Sequence, residues 1–243
     1  MNPVFRRGAL ASALALAAPL AVQAANLNSL QLLDQGEFHR LAEDLGAVAS
    51  HKPLSPSDPL GWVGFDLGVA VSGTELQNRD VWRKASLGAS VPSTLPVPSL
   101  RAIKGLPFSI DVGVSYSGLP DVSGSLLGAE LRWAFIEGGV ATPAVALRLA
   151  GTRSNGIDQL DFSSASVDVS ISKGFAFATP YAGIGSVRSS VKPRDLPTLA
   201  SETITQAKFF AGVNFNLLIG DILLEADRTG DATTFSAKLG YRF

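Results

Sequence analysis

Glu225-x-Asp227 is the residue pair best placed to do chemistry. On a strand, a spacing of two puts both carboxylates on one face, where they could bind a cation or share a proton. Lys208 and Lys238 offer a plainer fate, neutralisation, because structural ion pairs often mimic sites. The two histidines, His39 and His51, both precede the first strand-like segment. No residue after 60 carries an imidazole, so a general base of near-neutral pKa, or a Ser/His pair, is not available there. His39, beside Arg40 on a predicted helix, reads as a surface residue. Arg79, Arg83 and Lys84 surround Trp82, and guanidinium groups can grip phosphate bidentately, although charge on a loop is the default. Gly183-Ile-Gly185 follows no strand-to-helix turn and reads as relief of crowding or a strand bend. No catalytic residue, cofactor or metal is assigned.

Period-two alternation positions these groups. Phe235, Ala237, Leu239, Tyr241 and Phe243 alternate with Ser236, Lys238, Gly240 and Arg242. One face is apolar and aromatic, the other polar, which means a strand between two different solvents. The pattern recurs, with Asp66, Asp111, Glu130, Arg132, Arg148, Asp168, Lys208, Glu225 and Asp227 each on a polar face. About ten strands result, near 61–76, 96–104, 107–118, 124–136, 141–153, 159–173, 176–189, 201–217, 221–229 and 232–243. Most have the roughly 9–11 residues that a tilted strand needs to cross hydrocarbon. The segments 97–103 and 176–189 alternate weakly. Eight strands result if they fail, and twelve if 46–52 contributes.

The aromatic at position 243, with another two residues before it, resembles the C-terminal strand of Gram-negative outer-membrane β-barrels, of the small uncharacterised proteobacterial type. The resemblance covers 61–243. It implies an all-β transmembrane antiparallel up-and-down barrel with a short N-terminal helix before the first strand. Tyr241 and Phe243 would be an assembly signal for the outer-membrane assembly machinery, lipid would cover the apolar faces, and the polar faces would line a lumen. Six acids (Asp66, Asp111, Glu130, Asp168, Glu225, Asp227) then face five bases (Arg132, Arg148, Lys208, Lys238, Arg242), a salt-bridged core rather than a selective pore of one sign. On hairpin register, Asp111, Glu130 and Arg148 should lie near one another. Counting back from the C-terminus, the short turns 104–107, 137–140, 173–175 and 219–221 are periplasmic. The connections 77–95, 118–123, 153–158, 191–200 and 229–232 are extracellular and include the long ones. Trp62, Phe108, Trp133, Phe135, Tyr181 and Phe215 fall near the periplasmic ends as a membrane-interface girdle.

Residues 1–24 read as a signal peptide: Arg6 and Arg7, an apolar run from 9 to 22, and Val22-Gln23-Ala24 as cleavage site. The chain has no cysteine, so it carries neither a lipid anchor on cysteine nor a disulfide. After cleavage 18 basic residues face 21 acidic ones, a net charge of −3, with no basic block to suggest nucleic acid. Residues 25–59 hold a helix and a Pro-rich link. Asp34-Gln-Gly-Glu37 fits a capping box, Phe38, Leu41 and Leu45 follow at helical spacing, and Gly46 reads as a stop. The helix could plug the lumen, cap the periplasmic mouth or lie on the membrane; loose packing on the periplasmic base is the expectation. The barrel takes 60–243.

A structural or passive-transport role, as a narrow pore with a charge-balanced lumen, is the expected function, in the outer membrane. Outer-membrane lipids including lipopolysaccharide are the expected partners, with a small solute besides. An enzyme acting on lipid or peptide is the first alternative. The resemblance implies that such barrel enzymes use a barrel-borne His with Asp, Asn or Ser, which speaks against it here. A surface-binding or adhesion barrel is the second.

Overall fold

The alternating segments become ten antiparallel strands. The computed structural model describes residues 27–119, 124–217 and 220–243. The expected signal peptide (1–24), the tip of the expected loop 118–123 and Ile219 of the expected turn 219–221 lie outside them. The strands are β1 (Phe65–Glu75), β2 (Thr94–Leu106), β3 (Ile110–Gly118), β4 (Ser125–Glu137), β5 (Ala144–Asn155), β6 (Leu160–Ser172), β7 (Ala178–Pro193), β8 (Glu202–Leu217), β9 (Gly220–Thr229) and β10 (Ala232–Arg242). Each pairs with the next in chain order, and β1 pairs with β10 to close the barrel. Closure leaves no unpaired edge, the condition for a sheet in lipid.

Register carries the alternation through the whole wall. Val69 lies opposite Leu239 and Leu100, whereas Ala70 lies opposite Lys238. Leu67, Val69 and Val71 are exposed on the outside; Asp66, Ser72 and Thr74 are buried inside. The outer face is apolar and most charges of the wall turn inward, the inside-out arrangement of an outer-membrane β-barrel. Gly183 and Gly212 show how tightly the interior fits. Gly183 pairs with Phe210, and Gly212 with Tyr181. A Cβ on Gly183 would stand 2.2 Å from the Phe210 ring, and one on Gly212 2.6 Å from the Tyr181 ring. Glycine here relieves crowding, as the sequence suggests, so that both aromatics can turn inward.

The barrel has two unlike ends. At the terminal mouth β1 begins and β10 ends. At the loop mouth lie the connections β1–β2, β3–β4, β5–β6, β7–β8 and β9–β10. Helix α1 (Gln35–Ala49) starts at a full capping box, with Glu37 N–H donating to Asp34 Oδ1 at 2.8 Å and Asp34 N–H to Glu37 Oε2 at 3.0 Å. The sequence places α1 on the base, at the terminal mouth. The structure seats it inside the opposite, loop mouth, where Gln35 accepts from Ala200 N–H and His39 meets Glu202 at 2.9 Å. The reason is the lining. In that half the inward residues of the wall are apolar (Leu95, Leu126, Leu160, Phe162, Val191, Ile204), and Phe38, Leu41, Leu45 and Val48 fill the space between them. Gly46 is not a stop; a Cβ there would stand 2.6 Å from Gln206 Oε1 on the wall, so glycine lets the helix approach and continue to Ala49. The stretch expected as an open loop contains a second helix, α2 (Arg79–Ala85), with Val81 and Trp82 packed into the same core.

Candidate functional site

From Ala49 the chain turns down the lumen to reach β1 at the terminal mouth. Residues 50–57 are all buried. This strap runs through the charged half, so its contacts define the site.

The wall of that half is a set of ion pairs built by register. Asp111, Arg132, Arg148 and Asp168 lie side by side on β3 to β6. Arg132 pairs with Asp111 at 2.6 Å, and Arg148 reaches Glu130 at 3.0 Å and Asp168 at 3.5 Å. Asp111, Glu130 and Arg148 thus lie near one another on three adjacent strands, as register predicts, with Asp111 paired to Arg132 and Glu130 to Arg148. Lys238 pairs with Asp66 at 2.6 Å and Asp221 at 3.3 Å. All eleven lumen charges expected from sequence point inward; ten are buried and Arg242, at the terminal mouth, is half-buried.

The strap fits this wall through its backbone. It reads Pro53-Leu54-Ser55-Pro56-Ser57-Asp58-Pro59-Leu60, with proline at every third place. Proline has no N–H, so each one removes a donor that a dry lumen would have to satisfy. The N–H groups that follow the prolines each have an acceptor: Leu54 donates to Glu225 at 3.0 Å, Ser57 to Ser172 Oγ at 3.0 Å, and Leu60 to Asp111 at 3.1 Å. Arginines take the carbonyls. Arg101 donates to Pro53 O at 3.1 Å, Arg148 to Ser55 O at 3.5 Å, Arg132 to Pro56 O, and Arg242 to Asp58 O at 3.1 Å. Leu54 anchors the run. It is fully buried against Ala70, Tyr181, Phe210 and Leu223, and it holds φ at 45°, a left-handed conformation that costs a branched residue on the order of 1–3 kcal/mol. Beside the strap a crevice of about 30 Å³ remains, edged by Ser72, Ser99, Ser115 and Ser117, room for about one or two waters.

The strap also answers the two questions of chemistry. Of the Glu225/Asp227 pair, Asp227 is neutralised by a residue the sequence reading did not bring there, Lys52 at 3.1 Å; Glu225 instead accepts hydrogen bonds from Tyr181 O–H at 2.6 Å and Leu54 N–H at 3.0 Å. Lys208 donates instead to His51 O at 2.5 Å. His51 is carried into the barrel, where its Nε2 stands 3.3 Å from Glu130 and 3.4 Å from Arg101. The imidazole absent from the strands is thus present in the lumen, supplied by the strap. Among the described residues no serine or threonine hydroxyl hydrogen-bonds to it.

Other expected positions sort cleanly. Trp133 and Phe135 are exposed on the outer wall, Phe215 is half-buried there, and Trp62 and Phe108 are exposed outside the strands, before β1 and in the β2–β3 turn. Tyr181 is a correction: it points into the lumen, because on β7 the phase is set by Gly183 and Gly185 facing inward neighbours on β8 and β6. Tyr241 and Phe243 are exposed outside, each ring 5.8 Å from Phe65. Around Trp82, Arg79 donates to Val91 O at 2.7 Å and Lys84 pairs with Glu37 at 2.6 Å. Arg101, Asp221 and Lys52 were missed. Asp221 lies two residues before Leu223 in the phase of Glu225 and Asp227, so its signal was present; Arg101 sits in the weakly alternating β2.

No family model matches the chain, and no curated protein matches it. Solved structures do. It is similar to the N-terminal β-barrel domain of OprF from Pseudomonas aeruginosa, at 13% identity over 75% of this chain and 99% of that one, TM-score 0.39. It is similar to Ail, the attachment invasion locus protein of Yersinia pestis, at 16% identity over 74% and 97%, TM-score 0.35. It is similar to the KdgM porin at 9% identity over 74% and 99%, TM-score 0.38. At these identities and scores the likeness bears on no activity.

Proposed function

We propose that this is an outer-membrane barrel, loop mouth outward, whose own N-terminal segment plugs its lumen. Its role is structural, or passive transport of a small solute only when the strap withdraws. One observation carries the reading: the N–H groups of Leu54, Ser57 and Leu60 and the carbonyls of Pro53, Ser55, Pro56 and Asp58 are taken by the lumen wall, as a ligand's would be. Such a segment is held, where a passing linker would not be. Aromatics at the terminal mouth and long connections at the other support the orientation, and assembly through Tyr241 and Phe243 follows from it. A non-catalytic role goes with the plug, since His51 is shut away from any substrate. The adhesion reading has less behind it, because Val81 and Trp82 pack inward instead of projecting.

Planar-bilayer recording tests this. The unaltered mature protein, heat-modifiable on gels, should give no steady ohmic channels. Leu54→Asp sets a second carboxylate beside Glu225 in an apolar niche, and should expel the strap and open a steady conductance. Steady channels in the unaltered protein would reject the plug.

A further inference from the structure

The outward residues of three rising strands follow one rule. On β5 they run Leu147, Leu149, Gly151 and then Arg153; on β7, Ala182, Ile184, Ser186 and then Arg188; on β9, Ile222, Leu224, Ala226 and then Arg228. Each apolar or small run gives way to an exposed arginine in the loop-mouth part of its strand. Lys192 continues the β7 column. On β6 small residues lie opposite two of them, Ser163 opposite Arg153 and Ala165 opposite Arg188; on β8 Thr205 lies opposite Arg188, and Arg228 sits between Phe209 and Thr233. The opposite sector differs, with Glu75 and its partner Thr94 at the loop-mouth ends of β1 and β2.

An arginine on a lipid-facing wall is costly at the bilayer midplane and nearly free at its interface, so this row marks the headgroup level. The acids close by are already engaged: Asp161 accepts from Arg194 at 2.9 Å, and Asp231 pairs with Arg228 at 3.3 Å. Among the described residues Arg153, Arg188 and Lys192 form no ion pair; Asp161, which lies opposite Lys192 across the β6–β7 pair, is turned to Arg194. We propose that Arg153, Arg188 and Lys192 bind the phosphates of a multiply phosphorylated lipid in the leaflet at the loop mouth.

The spacing favours that headgroup over a single phosphodiester. β5 and β7 are two strands apart, about 10 Å, which suits two separate phosphates on one lipid. A guanidinium meets each bidentately, and Ser163 and Ala165 of β6 leave the floor between Arg153 and Arg188 open. The inference rests on the barrel spanning a membrane, but not on the plug.

The full mature chain, folded in neutral detergent micelles, is titrated with bisphosphorylated lipid A, its dephosphorylated form, and phosphatidylglycerol, with bound lipid counted by native mass spectrometry. Bisphosphorylated lipid A should bind, and the other two more weakly. Joint Arg153→Gln, Arg188→Gln and Lys192→Gln should weaken binding about tenfold or more. Arg188→Gln alone should give an intermediate loss. Equal binding of the dephosphorylated lipid, equal binding of phosphatidylglycerol, or full affinity in the folded triple variant each overturns the site. Failure of the unaltered chain to fold in micelles would instead sink the membrane reading beneath it, and channel activity would leave the lipid result standing.

Discussion

The two halves of the lumen hold one continuous segment by different means. Near the loop mouth the wall offers Leu, Ile, Val and Phe, and the segment there is helical. Near the terminal mouth the wall offers Arg, Asp and Glu, and the segment is extended. An apolar wall cannot pair a backbone N–H or C=O, so the chain must pair its own, and a helix does that. A charged wall can take those groups one at a time, so an extended run survives there, with proline lowering the number of donors to be matched. The secondary structure of the plug is thus written on the barrel as much as in the plug.

Breaking the charged half should have the largest effect. Arg148 is fully buried and serves Glu130, Asp168 and the strap at Ser55. Arg148→Met would leave two buried carboxylates short of their counter-charge, at a cost on the order of 3–5 kcal/mol. Urea unfolding in micelles should show it as a lowered midpoint for the whole barrel. A loss within experimental scatter would mean that water enters the lumen and screens the pairs. Leu41→Ala, in the apolar half, removes a fully buried side chain of α1 and should cost about 2–4 kcal/mol. That loss should be local: faster hydrogen exchange in α1 and α2, with strand amides unchanged. The strap, held by its own bonds below, should stay, so no conductance should appear. Conductance in Leu41→Ala would show that the helix, not the strap, makes the seal.

The barrel itself was legible because period two has no ambiguity once one face is apolar. All ten strands lie where alternation puts them, including weak β2 and β7, and every expected lumen charge faces inward. The plug was legible as elements but not as a place. The capping box and Phe38, Leu41 and Leu45 announce a helix, yet an amphipathic helix fits any greasy surface, and nothing local says which mouth holds one. Inward Leu126, Leu160, Phe162 and Val191 were the missing signal, an apolar stretch on the side of the strands that should have been polar. The proline run read as a break because proline ends helices. Its period of three, with each following residue keeping an N–H, is the trace of an extended segment that has partners. Tyr181 went astray because β7 is glycine-rich, and its phase depends on rings across the strand pair rather than on its own alternation.

The smallest expected effect tests whether the loop-mouth half is as free of electrostatics as its lining suggests. Asp44 is the exception there, a buried acid on α1 that accepts from Trp82 Nε1 at 2.9 Å and from Asn78 N–H at 3.0 Å. Burial pushes its carboxyl above the ordinary carboxylate range, and the bonds from Asn78 and Trp82 pull it back only in part. With the folded pKa above the unfolded one, the folded state binds more protons between the two values, and this group's contribution falls as pH rises through that window. Asp44→Asn should match the parent below the window and gain on it slightly above, a difference read by comparing unfolding midpoints at acid and neutral pH. The opposite sign would mean that ionised Asp44 stabilises the fold. The helix would then be held in its apolar seat by a charge, as the strap is in the other half, and the contrast between the two halves would shrink to their linings alone.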